Sequence, residues 1–427
     1  MKFLFVHQNF PGQFLHIVRH LAKMREHDIV FLTEPNANDI FGVRKVPYAK
    51  PRPASQDTHV AARELDVAVR RAEIVAASAM NLKNLGYIPD IMIGHAGWGE
   101  MLNLVDVWPG VPSIRYMEFY YRTDSADVVF DPEFPIDPSD FPRIRAKNAI
   151  NHLSLYQDGL GVSPTEWQLS TYPEWARDRI DLLWEGVELD VCSPDASVRR
   201  KPLVVGGMTI EPGDCLVTYV SRDLEPYRGV HPMIRSLPHL MKDRKNLKVV
   251  MVGGDSVSYG SPPPDGGSWK DRFLKEVEGQ VDLTRVAFPG RVEYEVYLSL
   301  LRRSDAHVYL TYPFVASWSL REAMAVGCAI VGSDTPPVRE FVTHGETGLL
   351  TSFFDPPALA AAVLELVDNK KLARTLRKNA RAFAERHLGM DQYLRAFSAK
   401  IEGLTGLSLV VPESRPKAAA KRGRAKT

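Results

Sequence analysis

What constrains this chain most is a series of short, unbroken apolar runs separated by segments with helical spacing. "KFLFVH" (2–7), "DIVFLT" (28–33), "DIMIGH" (90–95) and "PSIRYM" (112–117) lie in the first half. "CLVTYV" (215–220), "LKVVMVGG" (247–254), "RVAFPG" (285–290), "AHVYLTY" (306–312) and "CAIVGS" (328–333) lie in the second. A strand that is apolar on both faces must be covered on both, which places it in a parallel sheet between helix layers. Between the first two runs, "FLHIVRHLAKMREH" sets apolar residues at 14, 17, 18, 21 and 24. That spacing is helical and closes a βαβ unit within ~35 residues.

The same logic repeats along the chain. Residues 57–83, 139–156, 228–242, 293–303, 318–327 and most of 356–403 read as helices. In "GLGVSPTEWQLSTYP", a strand meets a helix capped by Ser163 or Thr165, with Glu166 in its first turn. The stretch 179–203 starts as a strand and turns into a polar, proline-containing connector. The expectation is α/β: two doubly wound domains, 1–190 and 191–405, facing across a cleft, with the last helices packing back on the first domain, followed by a basic, disordered tail, 406–427. In such sheets ligands bind outside the carboxyl ends of the strands, at the switch point of the strand order. The Gly/Pro/Ser stretch "GGDSVSYGSPPPDGGS" reads as a mobile or ligand-covering loop.

Charge and cysteine content exclude several functions. The 427 residues carry 53 Lys/Arg and 52 Asp/Glu. The end "PESRPKAAAKRGRAKT" holds six of the cations and one acid, which leaves 47 basic and 51 acidic residues in the body. A body with that balance is not built for nucleic acid. The tail reads as a solubilising end, with an anionic membrane surface as the other option. Cys192, Cys215 and Cys328 form no CxxC pair, which fits a reducing compartment. The polar "HQN" at 7–9 interrupts the N-terminal apolar run. No run approaches the ~18 apolar residues of a membrane span, and a cytoplasmic protein is expected.

Three constellations fall at strand ends. Gly12, in Pro11-Gly12-Gln13, lets the backbone approach a ligand, though a tight βα turn explains it equally. There is no GxGxxG and no GxxxxGK[ST], which disfavours a dinucleotide cofactor or a P-loop. In "VSRDLEPYRGV" (220–230), Arg222 and Arg228 stand at the cleft edge, where two guanidiniums suit a diphosphate. Solvated arginines near Asp223 and Glu225 are the alternative. In "TYPFVASWSLREAMAVGC", Ser317, Trp318 and Ser319 start a helix whose N–H groups face the cleft, and Glu322 follows one turn on. An acid there can accept both hydroxyls of a ribose, or be a surface acid stabilised by the helix dipole. His95 and Tyr120 are further cleft candidates. Each reads as well as a packing residue, and at least one of Phe119, Tyr120 and Tyr121 reads as core.

These residues resemble glycosyltransferase family 4, of the GT-B fold. "LREAMAVGCAIVGSDTPPVREFVTHGETGLL" is similar to that family's "LEAMAxGxPVVAS…GGxxEVVxxGxTGLL", and "VSRDLEPYRGV" to its "GRLxxxKG". "RVAFPGRVEYEVYLSLLRRSDAHVYLTY" is similar to its "VxFxGxVxxxxLxxxYxxADVFVxPS". In the first half "FVHQNFPGQF", "GHAGWGE", "EFYY", "SPTEWQ" and "EGVELD" resemble a bacterial branch. The resemblance implies a retaining, metal-independent transfer of sugar from a nucleoside-diphosphate sugar, UDP- or GDP-linked. The acceptor it implies is a glycan, a lipid-linked glycan or another hydroxyl, in cell-surface polysaccharide or glycoconjugate synthesis. No cofactor and no metal is implied, and no DxD-type metal motif is visible.

By the same resemblance, Gly12 and Gln13 lie at the donor diphosphate, and Arg222 and Arg228 hold it. The backbone near Val292 reads the base. Ser317, Trp318, Ser319 and Leu320 meet the sugar and distal phosphate, and Glu322 binds the ribose. Three departures stand out. Phe314 falls where the family has a sugar-contacting acid, and Glu118 where it has a His, which makes Glu118 a catalytic candidate. The spacing from Arg222 to Arg228 is one residue longer than usual. The main alternative is a catalytically silent GT-B subunit that binds nucleotide or glycan. An epimerase or phosphorylase is disfavoured by the motif order. Sugar, base, acceptor and oligomeric state are open.

Overall fold

The computed structural model describes residues 1–124, 126–242 and 244–409. The first sheet contains β1 (Lys2–Val6), β2 (Asp28–Thr33), β3 (Val43–Pro47), β4 (Ile91–His95), β5 (Ser113–Tyr116), β6 (Leu160–Ser163) and β7 (Ile180–Leu182). All pairs are parallel, and the order is β3-β2-β1-β4-β5-β6-β7. A small antiparallel hairpin follows, β8 (Leu203–Val205) and β9 (Met208–Ile210). The second parallel sheet contains β10 (Cys215–Asp223), β11 (Leu247–Gly254), β12 (Val286–Ala287), β13 (Ala306–Tyr309), β14 (Ile330–Ser333) and β15 (Leu349–Thr351). Its order is β12-β11-β10-β13-β14-β15.

Both sheets reverse strand order beside their first long strand, between β1 and β4 and between β10 and β13. At such a point the two neighbouring connections leave in opposite directions and open a crevice. The central strands are buried on both faces: Phe3, Leu4, Phe5 and Val6 in β1, and Leu216, Val217 and Tyr219 in β10.

Four features differ from the sequence expectation, each for a physical reason. Strand β3 lies at a sheet edge with no residue fully buried, so it lacks the apolar run that marks the others. Strands β8, β9 and β15 are three residues each, too short for a period to show. The helix expected over 139–156 is two, Phe141–Lys147 and Ala149–Tyr156, divided at Asn148. There the Asn148 side chain accepts from the Tyr121 N–H (2.9 Å) and donates to the Tyr121 carbonyl (2.7 Å). The tail does not begin at 406. Leu409 is buried in the first domain's core, while residues 410–427 lie outside the described residues.

Two segments cross between the domains. The last helix, Met390–Thr405, sets Tyr393, Phe397 and Ile401 into the core built on Phe3, Phe5 and Ile91. In the other direction, residues 126–134, which follow β5, lie on the second domain. Phe130 packs on Tyr312 and Phe353, and Phe134 on Trp269. Asp131 Oδ2 accepts from Tyr312 Oη (2.5 Å) and lies 3.0 Å from His231 Nε2. Tyr227 Oη donates to Asp127 Oδ2 (2.9 Å).

Candidate active site

The crevice of the first domain is built from the residues that follow β1, β4 and β5. After β1 the chain turns at Gly12, whose φ of +55° lies in the left-handed region. A Cβ there would stand 2.8 Å from His7 Nδ1, so both backbone and space require glycine. The turn delivers Gln13, whose Nε2 donates to Glu118 Oε1 (3.3 Å). His95, the last residue of β4, is buried. Its Nδ1 accepts from the Gly97 N–H (3.0 Å), which places the ring proton on Nε2, 3.3 Å from Glu118 Oε2. Each oxygen of the Glu118 carboxylate thus has its own side-chain donor. Burial pushes this carboxyl up, but the hydrogen bonds from His95 and Gln13 outweigh it and hold Glu118 below the usual carboxylate range. His7, behind the pair, is held neutral because burial pushes its imidazole down to about 3.

Of the three residues of the "EFYY" stretch noted as core or cleft, Phe119 is core. Tyr120 is half-buried, and its hydroxyl lies 2.8 Å from His152 Nε2.

The second domain contributes the other wall. Arg222 is exposed on β10. Arg228 is buried, contrary to the reading of two solvated guanidiniums. Its Nη1 donates to Thr311 Oγ1 (2.9 Å) and to the Val315 carbonyl (2.9 Å), and its guanidinium stands 4.8 Å from the Tyr259 ring centroid. Neither nearby acid pairs with it. Asp223 takes Arg291 (3.0 Å), a cation that sequence reasoning passed over. Glu225 accepts from the N–H groups of Ser258, Tyr259 and Gly260. Those bonds pin the front of the loop that the sequence suggested was mobile.

The helix Trp318–Val326 begins where expected, but its cap differs. The Ser317 N–H is not free to face a ligand, because it donates to Tyr309 Oη (2.7 Å). Trp318, Ser319 and Leu320 open the helix itself. The Trp318 ring lies 5.4 Å from His16, one turn beyond Gln13, so the two crevices meet here. Glu322 is half-buried and accepts from Tyr294 Oη (2.8 Å) and Tyr297 Oη (2.7 Å). It is not the dipole-stabilised surface acid. Burial raises its pKa against those two hydrogen bonds. Each oxygen keeps acceptor capacity for a ligand hydroxyl. Val292 packs half-buried in the same apolar cluster.

Phe314 is buried in an aromatic group. It meets Phe119 at 4.8 Å, Tyr259 at 5.1 Å and Tyr227 at 5.6 Å. Two of the sequence departures therefore lie together, because Phe119 is the neighbour of Glu118.

Several contributors lie inside the quoted motifs but had no role assigned to them from sequence, Thr165 as helix cap excepted. Glu185, in the connector, binds Tyr116, Trp318 and Arg321. Glu340 of the second domain accepts from the N–H groups of Glu166 (2.8 Å) and Trp167 (3.0 Å), the first turn of a helix in the other domain. Thr165 caps the same helix through Gln168 N. Glu100 is fully buried, with Oε1 accepting from the Gln8 N–H (2.6 Å) and Oε2 unpartnered. Burial pushes its carboxyl up to about 7, so protonation favours the folded state. Its contribution is full below the ordinary value of 4.5 and is lost as pH rises through about 7. Glu100→Gln should therefore raise the melting temperature at pH 8 and change it little at pH 4. Thermal scans across that range check this, and equal shifts at both ends would refute it.

Two doubly wound domains that meet switch point to switch point define the GT-B class. Comparisons with known proteins agree. A profile described as "Glycosyl transferase family 4 group" matches residues 25–192, and one described as "Glycosyl transferases group 1" matches residues 209–383. The chain belongs to the family-4-type glycosyltransferases of GT-B fold.

An uncharacterized glycosyltransferase of Methanocaldococcus jannaschii is 26% identical over 182 residues, 42% of this chain and 43% of that one. The matches thus span well under two thirds of the curated relatives' length. Among solved structures, sucrose-phosphate synthase from Thermosynechococcus elongatus superposes with a TM-score of 0.71 at 16% identity, covering 95% of this chain and 99% of that one. Anabaena HepE in complex with UDP-glucose superposes with a TM-score of 0.63 at 16% identity, covering 95% and 100%. At that identity the likeness speaks for the fold.

Proposed function

We propose that the protein is a retaining, metal-independent glycosyltransferase that uses a nucleoside-diphosphate sugar. The observation that carries this reading is that the helix start at Trp318 meets the first domain at His16, one turn from the Gln13–Glu118–His95 group, with the buried Arg228 in the same domain as that helix. The donor is a UDP- or GDP-sugar. HepE, solved with UDP-glucose, favours UDP. The acceptor is a hydroxyl of a glycan or lipid-linked glycan. No helix among the described residues is long and apolar enough to cross a membrane. Work on the cytoplasmic side, with peripheral membrane contact, accords with a lipid-linked acceptor.

The chemistry follows from charge. As the bond from the anomeric carbon to the diphosphate breaks, negative charge grows on the leaving oxygen. Fixed donors there stabilise it without reorganising. Arg228, already locked by Thr311 and Val315, is such a donor, and the N–H groups that open the helix at Trp318 are others. The acceptor oxygen attacks from the same face, and its proton passes to the leaving phosphate oxygen. No enzyme nucleophile is needed, so Phe314 does not block the reaction. Glu118, kept ionised, accepts from a sugar hydroxyl and steadies the developing positive charge.

A thermal-shift panel of UDP-, GDP- and ADP-sugars tests the reading, since a bound ligand adds RT ln(1 + [L]/Kd) to stability. A rise with one base class supports it, and no response to any sugar nucleotide would end it. Glu118→Gln keeps the shape and removes the charge, and should lower kcat about 10²-fold with little change in donor affinity. Glu322→Ala should instead weaken donor binding by about tenfold or more, read as KM or as nucleotide Kd. The silent-subunit reading, which Phe314 favours, predicts a nucleotide-induced shift with neither transfer nor donor hydrolysis.

A further inference from the structure

The first domain holds a cavity of about 430 Å³, one of whose walls, Trp98, touches the His95 that binds Glu118. Its lining comes from the carboxyl edge of the sheet: Gln8 after β1, the loop after β3, and Trp98 after β4. The helix Arg63–Asn84 forms the floor and supplies Arg71, which is 7% exposed. Arg71 Nη1 donates to the Trp98 carbonyl (3.0 Å) and Nη2 pairs with Glu34 (3.2 Å). Its Nε is buried without a partner. A buried donor left unpaired is costly and calls for an acceptor.

Charge points the same way. Arg63, Arg71 and Lys147 line the cavity against one carboxylate, Glu64, which Arg143 also holds at 2.9 Å. Glu34 offsets part of the Arg71 charge, and the balance stays positive. Trp98, 37% exposed, offers an indole face, and its ring lies 5.8 Å from that of His95. His95 in turn donates to Glu118, so the cavity wall connects to the reaction centre through one imidazole.

Resting on the glycosyltransferase reading, we propose that this cavity is the acceptor subsite and that the acceptor's terminal sugar carries an anionic group, a carboxylate or a phosphate ester. The apolar face of the sugar ring lies on Trp98, a geometry that suits the amphipathic indole. The anion lies toward Arg71 and Arg63. An anion offsets the positive balance of the lining, which a neutral sugar of the same shape does not, and the site discriminates on that difference.

Ligand-observed saturation-transfer NMR on the full chain tests this with three probes: methyl glucuronide, a methyl glucoside phosphate monoester and methyl glucoside. At least one anionic probe should bind about tenfold more tightly than the neutral one, and the better of the two identifies carboxylate or phosphate. Trp98→Ala and Arg63→Gln are surface changes, chosen because Arg71 substitutions risk the fold. Each should weaken the preferred probe about fivefold or more while the nucleotide-sugar thermal shift persists. Equal binding of charged and neutral probes overturns the proposal. So does binding indifferent to both substitutions, or no probe binding beside an intact nucleotide response. Loss of the nucleotide response in the unmodified protein would instead overturn the transferase reading on which it rests.

Discussion

Arg228→Ala should lower kcat/KM for the nucleotide-sugar donor by about 10²–10³-fold, equivalent to roughly 3–4 kcal/mol of lost transition-state stabilisation. The size follows from how the guanidinium is held. It lies in the short turn Pro226–Arg228 that ends β10, and Gly229, at a φ of +73°, turns the chain into the next helix. Thr311 and the Val315 carbonyl fix one nitrogen, and Tyr259 supports the plane from one side. A charge fixed in a site of low dielectric costs little reorganisation when negative charge develops nearby. Arg228→Lys should lose most of this, because one ammonium cannot reproduce the planar fork. The substitution also strands the acceptors at 311 and 315, at about 1–3 kcal/mol of stability. Rates measured well below the melting temperature separate the two effects. Activity within about fivefold of the parent would show that Arg228 is a strut and not a phosphate ligand.

Glu185→Ala should destabilise the protein by about 3–5 kcal/mol, the range for breaking a buried ion pair from one side. Oε2 accepts from Arg321 Nη1 (2.8 Å) and Trp318 Nε1 (2.7 Å), and Oε1 from Tyr116 Oη (3.0 Å). Arg321 is 1% exposed, and its Nε and Nη2 have no other partner. Removing the carboxylate leaves a buried guanidinium without its ion-pair partner. Glu185 also joins three parts of the machine. Tyr116 ends β5 two residues before Glu118, Trp318 opens the helix that runs to Val326, and Glu185 itself sits in the connector. Nucleotide affinity should therefore fall with the melting temperature. Glu185→Leu combined with Arg321→Met should recover much of the stability, since a buried pair replaced by apolar side chains is often near neutral. A Glu185→Ala protein with an unchanged melting temperature would refute the account.

The strand ends and the residues beside them were legible in the sequence because strand ends are local, whereas the strand order that makes two of them switch points was not. An apolar run stops, a glycine or proline follows, and a helical period begins. Gly12, Arg228 and Glu322 stand at such ends. Their partners were not legible. Gln13 and Glu118 are 105 residues apart in the chain, and Tyr116 and Glu185 are 69 apart. Glu340 and Glu166 are separated by 174. Nothing in spacing or composition links such positions. Resemblance marked Phe314 and Glu118 as odd, yet only packing showed that Phe119 brings them to one place.

Burial was the other quantity out of reach. Arg228 reads as a surface cation and Glu322 as a surface acid by residue type, because charged side chains are rarely buried unless paired. Arg228 is buried on two oxygen acceptors and a tyrosine ring, and Glu322 is half-buried under two tyrosine hydroxyls. The segment 126–134 was not singled out by the sequence. Its role as a strap on the second domain depends on Tyr227, Tyr312 and His231 lying opposite Asp127 and Asp131.

The sequence by itself determined two parallel doubly wound sheets and the strand ends that border the cleft, because periodicity and turn chemistry act over a few residues. The tertiary structure alone decided which side chains face one another across the cleft, which charges are buried, and how the connector and the strap tie the domains together. Those outcomes depend on contacts between residues far apart in the chain, whose energies no local pattern encodes.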